Sequence, residues 1–487
     1  MMEKYNYRKD PHQDIDHVFR DLLPAHGMVE RPAQVELSHQ MLDAMLNGSI
    51  ALCDAGTGIG KTYAYLVAGV VFRRYRSRAG LPNQPLLIST SSIALQGAII
   101  HDYLPFLSKV MMADGMLDSP LRAVLRKGKS HYVCDARLMK RLQTANLDRK
   151  NPLAKAALLS MRDHLDLDMA PHLSGYDRER ICVPPTCDCG KTECRYLCYL
   201  DVCASERYAI QVCNHNLLLA DAIHQGSGKR PILPDSCAIV MDEAHKLPET
   251  ARQMFGITLA AGELHTLCRK LRREQFLLAA ETLEDTAGLL LSEMAKPWSG
   301  DSSFSHFSIP LDGVERTLSV IHRQIRRMLT AGTRMELERV LDKTKLFCLH
   351  QPDMVYYAAE DETGGSMLCA SATDLTAQLR QTLWQQDRPM ILASGTLAVG
   401  SNFRRFKEET GLLAEGRVRE HIAPSPFDYQ RNCLLYLPQI PPSQADSDYY
   451  DDLAEQIVKL LDAANGHALG LFTSYAAISA VRERLKQ

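Results

Sequence analysis

The feature that most constrains this chain lies near its start, where the apolar run Ile50-Ala51-Leu52-Cys53 gives way to Ala55-Gly56-Thr57-Gly58-Ile59-Gly60-Lys61-Thr62. A short apolar run ending at a turn signal reads as a buried strand, and residues 62–75 have helical length and good helix formers. Strand, glycine loop and helix in that order belong to a parallel α/β sheet. Gly56, Gly58 and Gly60 allow positive φ and let backbone N–H groups approach an anion closely. Lys61 then reaches the β and γ phosphates of a nucleotide as a point charge. Thr62 offers a hydroxyl to Mg²⁺, and the helix N-terminus adds a favourable partial charge. The pattern departs from the full phosphate loop at its first position, where Ala55 stands in place of glycine.

A nucleotide-hydrolysing site needs a carboxylate at a neighbouring strand end to hold the metal, and another to polarise the attacking water. Val240-Met241-Asp242-Glu243-Ala244-His245 presents both directly after an apolar run, about 180 residues past the loop. Asp242 is assigned to the metal and Glu243 to the water.

At 487 residues and 46% apolar content the chain can bury the cores of several domains. No run of eighteen apolar residues occurs, and the first residues are charged and polar, so neither membrane insertion nor secretion is indicated and the cytoplasm is expected. A net charge of -2 means that any nucleic-acid footprint must be local.

Strands are expected at 50–53, 85–90, 237–241 and 389–393, with helices over 34–46, 62–75 and 93–107. About 145 residues separate the second strand from the third, far more than a crossover needs, so an inserted domain is expected there. That gap holds ten Lys or Arg against two Asp over 120–155. It also holds Cys182, Cys187, Cys189, Cys194, Cys198 and Cys203, while Cys213 completes a set of seven within 32 residues, half of the chain's 14 cysteines. Such a cluster in a reducing compartment suggests a metal or iron-sulfur site. Residues 259–346 lack strand signals and alternate apolar and charged residues at helical spacing, so a second, helical insertion is expected. Past Ser425, the runs 434–437 and 468–473 look like strands opening another α/β domain.

Together these residues resemble the DinG and XPD branch of superfamily 2 DEAH helicases, and the resemblance runs through nearly the whole chain. Small residues at the first loop position are common in that superfamily, which accommodates Ala55. Arg31-Pro32-Ala33-Gln34 is similar to the branch's adenine-reading element, with Gln34 the main contact. Ser89-Thr90 through Leu95-Gln96 resembles its single-strand-contacting motif, and Val212-Cys213-Asn214-His215-Asn216-Leu217-Leu218 its Asn-His element. Ala393-Ser394-Gly395-Thr396-Leu397 resembles its coupling motif, while Ser425-Pro426-Phe427 and Leu471-Phe472-Thr473-Ser474-Tyr475 match the opening of its second RecA-like domain. The resemblance implies that His245 couples hydrolysis to the moving domain. It also implies ATP-driven 5′ to 3′ translocation on single-stranded DNA and unwinding of forked or displacement-loop DNA, in repair or replication.

The implied architecture is a P-loop RecA-like parallel-sheet domain over 1–115, 211–258 and 381–420. A cysteine-cluster insertion occupies 116–210, a helical arch-like insertion 259–380, and the start of a second RecA-like domain 421–487.

A four-iron four-sulfur cluster needs four converging thiolates. Cys134 fits the distant ligand of the DinG pattern, and Cys187, Cys189 and Cys194 form the close set, with Cys194-Arg195-Tyr196 similar to the family's last ligand. Cys182 and Cys198 lie within reach, and Cys187-Asp188-Cys189 is tighter than the usual spacing. Zinc is the alternative by chemistry, since both metals accept tetrahedral sulfur. The basic residues Arg122, Arg126, Lys127, Lys129, Arg137, Lys140 and Arg141 either track phosphates or form a solvated face. Tyr132 and Tyr196 either stack on bases or pack locally, and Arg73, Arg74, Arg76 and Arg78 read as a solvated helix end.

No Gln-x-x-Gly-Arg-x-x-Arg pattern occurs. The expectation for these 487 residues is therefore ATP binding with turnover and unwinding weak or absent. A metal-cluster module that binds single strands or partners and uses ATP as a switch is the competing expectation.

Overall fold

The computed structural model describes residues 10–144, 152–184, 194–294, 311–349, 351–352, 354–360, 366–438 and 448–486. Its strands are β1 (Ile50–Ala55), β2 (Leu86–Thr90), β3 (Ala123–Leu125), β4 (Ile210–Cys213), β5 (Ala238–Asp242), β6 (Ile257–Ala260), β7 (Met354–Glu360), β8 (Ser366–Ala372), β9 (Met390–Ser394) and β10 (Val418–Ala423). Seven form one all-parallel sheet in the order β10-β1-β9-β5-β2-β4-β3. The others form a small antiparallel sheet, β6-β8-β7.

Side chains alternate across a strand, and here the alternation divides the core in two. Ala51, Cys53, Ile88, Val240 and Ile391 share one core with the helices Pro32–Leu46 and Lys61–Arg78. Ile50, Leu52, Leu87, Ile239, Met241 and Leu392 share the other with Leu218, Trp384 and Phe403. A parallel sheet covered on both faces needs apolar residues along its buried length, which is why β1, β2, β5 and β9 open on apolar runs and keep Asp54, Ser89, Thr90, Asp242 and Ser394 for their C-terminal ends.

β3 and β10, at the two edges, carried no such signal. β3 has three half-buried residues, and β10 places the exposed charges Arg419 and Glu420 where an unpaired edge invites another strand. The chain between β3 and β4, at 126–209, has a small core of its own, built from Val133, Leu138, Leu158, Met161, Leu167 and Ile181.

Four helices, Ala261–Arg273, Leu277–Met294, Leu311–Ile325 and Ala331–Leu349, surround a third core that includes Leu264, Leu267, Val314, Leu318, Leu337 and Val340. The expectation of helices over 259–346 needs one correction: the segment opens on β6, which pairs with the β7–β8 hairpin. Leu259 and Leu368 bury their side chains in the helical core, so the small sheet acts as its floor.

Residues 427–487 form a separate unit. Its helices Tyr449–Ala463 and Tyr475–Leu485 bury Ala454, Ala477 and Val481 and are joined by an Arg484–Asp451 ion pair. The strands expected at 434–437 and 468–473 do not form. Leu434 and Leu471 are 92% and 88% exposed, and among the described residues neither run has a ladder partner. A parallel strand needs hydrogen-bonded neighbours and cover on both faces, and apolar composition alone supplies neither.

Among the described residues no helix is long and apolar enough to cross a membrane.

Candidate nucleotide site

The loop between β1 and the helix Lys61–Arg78 adopts the left-handed conformation at Gly58 (φ 85°) and Gly60 (φ 90°). Two segments brace it. Arg31 Nη1 donates to the Gly58 carbonyl at 2.7 Å, and Gln34 Nε2 donates to the Gly60 carbonyl at 2.7 Å. Ser425 Oγ donates to the Thr57 carbonyl at 2.9 Å, and Gly56 N–H donates to the Ala423 carbonyl at 3.0 Å. A side chain at Gly56 would stand 2.6 Å from Ser425 N, so the loop and the chain after β10 touch only because residue 56 has none. Lys61 Nζ donates to the Ala55 carbonyl at 3.3 Å, folded back on the start of the loop. Ile59 is buried beneath the loop.

Asp242 ends β5, and β9 lies between it and β1, with Asp242 in register with Ala393 and Asp54 with Ser394. The parallel sheet thus brings the loop, the carboxylates and the 393–397 segment together at the carboxyl ends of neighbouring strands. Asp242 is 1% exposed; its Oδ1 accepts from Glu243 N–H at 2.9 Å and its Oδ2 from the Tyr65 hydroxyl at 3.2 Å. Burial, reinforced by the neighbouring Glu243 charge, pushes the Asp242 carboxyl up to about 6. Tyr65, fully buried, also contacts the Thr62 side chain; its own pKa is raised by burial and then by Asp242. One hydroxyl therefore joins the two residues expected to hold Mg²⁺, a hard cation that takes oxygen donors. The donor set fits that ion: a hydroxyl and a buried carboxylate whose ionisation a nearby cation would favour.

Glu243 sits in the left-handed region (φ 55°), a conformation that costs a non-glycine residue about 1–3 kcal/mol and concentrates at functional sites. Its carboxylate is 3.3 Å from His245 Nδ1, which in turn lies 2.7 Å from Ser394 Oγ. Thr396 N–H donates to the same Ser394 oxygen at 3.3 Å, and Ala398 N–H to Asp54 Oδ2 at 2.6 Å. The 394–398 segment is thereby tied to both the DEAH turn and β1.

All ten expected nucleotide contacts, Arg31, Gln34 and 55–62, lie along this loop and its braces, with Asp242, Glu243 and His245 across β9. Sequence reading missed Tyr65, Asp54 and the bond from Ser425 to the loop. Tyr65 had a usable signal, standing one helical turn after Lys61 on the face that meets β5.

The candidate cysteine ligands are only partly placed. Cys187 and Cys189 lie outside the described residues. Cys134 is buried, and Cys194 caps the helix Arg195–Ala204. Tyr132 and Tyr196, two residues from each, stack at 5.4 Å, so the two segments meet. Tyr132 also reaches the Tyr199 hydroxyl at 3.0 Å, and Tyr199 donates to the Leu125 carbonyl at 2.9 Å. These rings pack on one another, the local alternative to base stacking. Cys182 bridges to Val133 across an antiparallel pair, and Cys198 lies one turn beyond Cys194. Among the described residues no three metal-ligating side chains assemble, so the described thiols do not by themselves make a cluster site.

The basic run beside Cys134 is largely engaged within the chain. Arg126, 4% exposed, donates to Gln211 Oε1 and the Ile232 carbonyl, both at 3.0 Å. Lys127 pairs with Asp166 and Asp168, Arg137 donates to the Cys182 and Glu179 carbonyls, and Arg141 pairs with Asp177. The second basic run is not a solvated helix end. Arg74 and Arg78 face the buried Asp14, while Arg73 and Arg76 clamp the 83–84 turn.

The fold and this site are those of a P-loop α/β domain. No family model matches the chain. It is 25% identical over 501 residues to the ATP-dependent DNA helicase YoaA of Haemophilus influenzae, covering 95% of this chain and 74% of that protein. It is 25% identical over 506 residues to the ATP-dependent helicase DinG of Mycobacterium tuberculosis, covering 94% and 74%. A solved XPD helicase structure matches in fold with a TM-score of 0.51 at 12% identity, over 94% of this chain and 75% of that one. The chain is a homologue of the DinG and YoaA ATP-dependent helicases.

Proposed function

We propose that this chain is the ATP-binding and hydrolysing part of a DinG-type DNA helicase, which couples hydrolysis to 5′ to 3′ movement on single-stranded DNA and to duplex separation in repair or replication. The observation that carries the reading is the meeting of Lys61, Thr62, Asp242, Glu243 and the His245–Ser394 pair at the carboxyl ends of neighbouring strands of the parallel sheet, in a chain homologous over most of its length to named helicases. Lys61 holds the β and γ phosphates, and Gln34 and Arg31 meet the adenine. Thr62 and Asp242 hold Mg²⁺, which when bound neutralises charge on the phosphates. Glu243 orients the attacking water and accepts its proton. His245 and Ser394 relay the state of that carboxylate to the 394–398 segment.

In the same reading, 116–210 is an insertion carrying a four-iron four-sulfur cluster on Cys134, Cys187, Cys189 and Cys194. Residues 259–380 form an arch-like insertion, and 421–487 open a second RecA-like domain. The protein works in the cytoplasm.

The test is ATP hydrolysis with and without a single-stranded oligonucleotide, together with unwinding of duplexes bearing 5′ or 3′ tails. Nucleotide binding abolished by Lys61→Ala and unwinding confined to the 5′-tailed duplex support the reading. Unwinding of 3′-tailed duplexes overturns the polarity, and oligonucleotide binding with no turnover favours the switch. Anaerobically purified protein should show visible absorption that Cys134→Ser removes.

A further inference from the structure

His215 opens the helix His215–Gly226 two residues beyond β4, and at 1% exposure it is among the most deeply buried polar residues of the chain. Its ring spans two strands that carry different duties. Nδ1 lies 2.7 Å from Ser89 Oγ on β2. On the other side, the backbone of Asp242 and Glu243 lies close enough to the ring to favour its protonated form, yet neither carbonyl is aligned for a full hydrogen bond to Nε2. A buried ring nitrogen without a full partner is costly, and such groups call for a reason. With backbone carbonyls beside Nε2, the proton belongs there, and Nδ1 accepts from the Ser89 hydroxyl.

β2 is also the strand that leads into 91–96. Thr90 accepts from Gln96 Nε2 at 3.0 Å, Ser92 caps the next helix, and Ile93 is 83% exposed on the turn. Across the sheet Ser89 is in register with Met241 and Thr90 with Asp242, so a strand polarised at its tip by a ligand has the DEAH turn as its neighbour. That turn contains Glu243 in its left-handed conformation, and its backbone is the neighbour of Nε2.

We propose that His215 is a positioning residue that couples the two ligands: a single strand held at 91–96 shifts Ser89, the ring follows, and Nε2–H closes onto the Asp242–Glu243 backbone, setting Glu243 for the nucleotide. The coupling rests on the helicase reading above. By linkage it acts in both directions, the nucleotide tightening the strand by the same factor as the strand tightens the nucleotide.

The experiment measures binding of a fluorescent non-hydrolysable ATP analogue to the full chain, with and without a saturating oligothymidylate. The expected gain in affinity with the strand is about fivefold or more, the lower end of ordinary coupling. His215→Asn reaches Ser89 but not the DEAH backbone, and should bring the gain below about twofold while each ligand alone binds within about twofold of the unaltered chain. His215→Gln extends its amide to the position of Nε2 and should restore most of the gain. A His215→Asn variant that couples like the parent overturns the proposal, as does a parent that binds both ligands without coupling. A parent that binds neither overturns the helicase reading and the proposal with it. Should His215→Asn fail to fold, hydrogen exchange on the unaltered chain decides: the strand should slow exchange of the 243–246 amides, and unchanged rates refute the mechanism.

Discussion

The sharpest test of the loop geometry is Gly60→Ala. At φ 90° a residue with a side chain costs about 1–2 kcal/mol from backbone sterics alone. The new Cβ would also stand 2.1 Å from Gln34 Nε2 and 3.1 Å from its Cδ, so the amide must leave the Gly60 carbonyl it now holds at 2.7 Å. Losing that part-buried bond adds about 1 kcal/mol, for a total of about 2–3 kcal/mol. Gly80→Ala separates the two contributions, since Gly80 has φ 71° and open space around it, and should cost only the backbone share. Gly97→Ala, helical with no neighbour in reach, should be neutral or stabilising by about 0.5–1 kcal/mol. Urea denaturation of the three variants should rank Gly60→Ala, Gly80→Ala and Gly97→Ala from least to most stable. Nucleotide affinity should fall at least tenfold in Gly60→Ala alone, a change of about 1.4 kcal/mol. Adding Gln34→Ala to Gly60→Ala should cost little more, since both variants lose the same bond. A Gly60→Ala chain as stable as Gly80→Ala, or one that Gln34→Ala destabilises by about a further 1 kcal/mol, would refute the packing of Gln34 on the loop.

The Asp242 carboxyl, raised to about 6 by burial, gives the nucleotide-free chain a stability increment present below the ordinary carboxylate value near 3.8 and lost as pH rises through about 6. Asp242→Asn should remove that slope from urea midpoints measured between about pH 4 and 7, and should flatten the rise in Mg-nucleotide affinity over the same window. Tyr65→Phe takes away a hydrogen bond that favours the Asp242 anion, so the pH midpoint for Mg-nucleotide binding should move up, with a stability loss of about 1–3 kcal/mol. Arg126→Ala should cost about 2–3 kcal/mol in denaturation while leaving the salt slope of oligonucleotide binding unchanged, since that guanidinium is spent on Gln211 and Ile232. A slope reduced by about one would instead mark it as a phosphate contact.

The loop, the DEAH turn and the parallel sheet were legible because each imposes a local requirement that few residues satisfy. Gly58 and Gly60 are glycines because the backbone there is left-handed, and β1, β2, β5 and β9 open on apolar runs because both faces are covered. The parts that stayed hidden are made by partners distant in sequence. Ser425 reaches Thr57 from 368 residues away, His245 reaches Ser394 from 149, and Tyr65 reaches Asp242 from 177. None of these pairs leaves a spacing pattern to read.

Charge runs misled for a related reason. Arg73, Arg74, Arg76 and Arg78 have the composition of a solvated helix end, but composition does not reveal the acceptors that arrive from elsewhere. Asp14, from a helix far upstream, lies buried against Arg74 and Arg78. Arg126 likewise draws on Gln211 and Ile232. A guanidinium carries five donors in a fixed fork and keeps its charge, so once buried it has to find carbonyls or carboxylates from several segments. Arginine thereby joins sequence-distant parts of the chain, and a dense arginine run beside an α/β sheet is weak evidence for a nucleic-acid surface until those acceptors are located. The same reasoning explains the failed strands at 434–437 and 468–473, where apolar composition records a suitability for burial and the neighbours that would complete it are not set by the run itself.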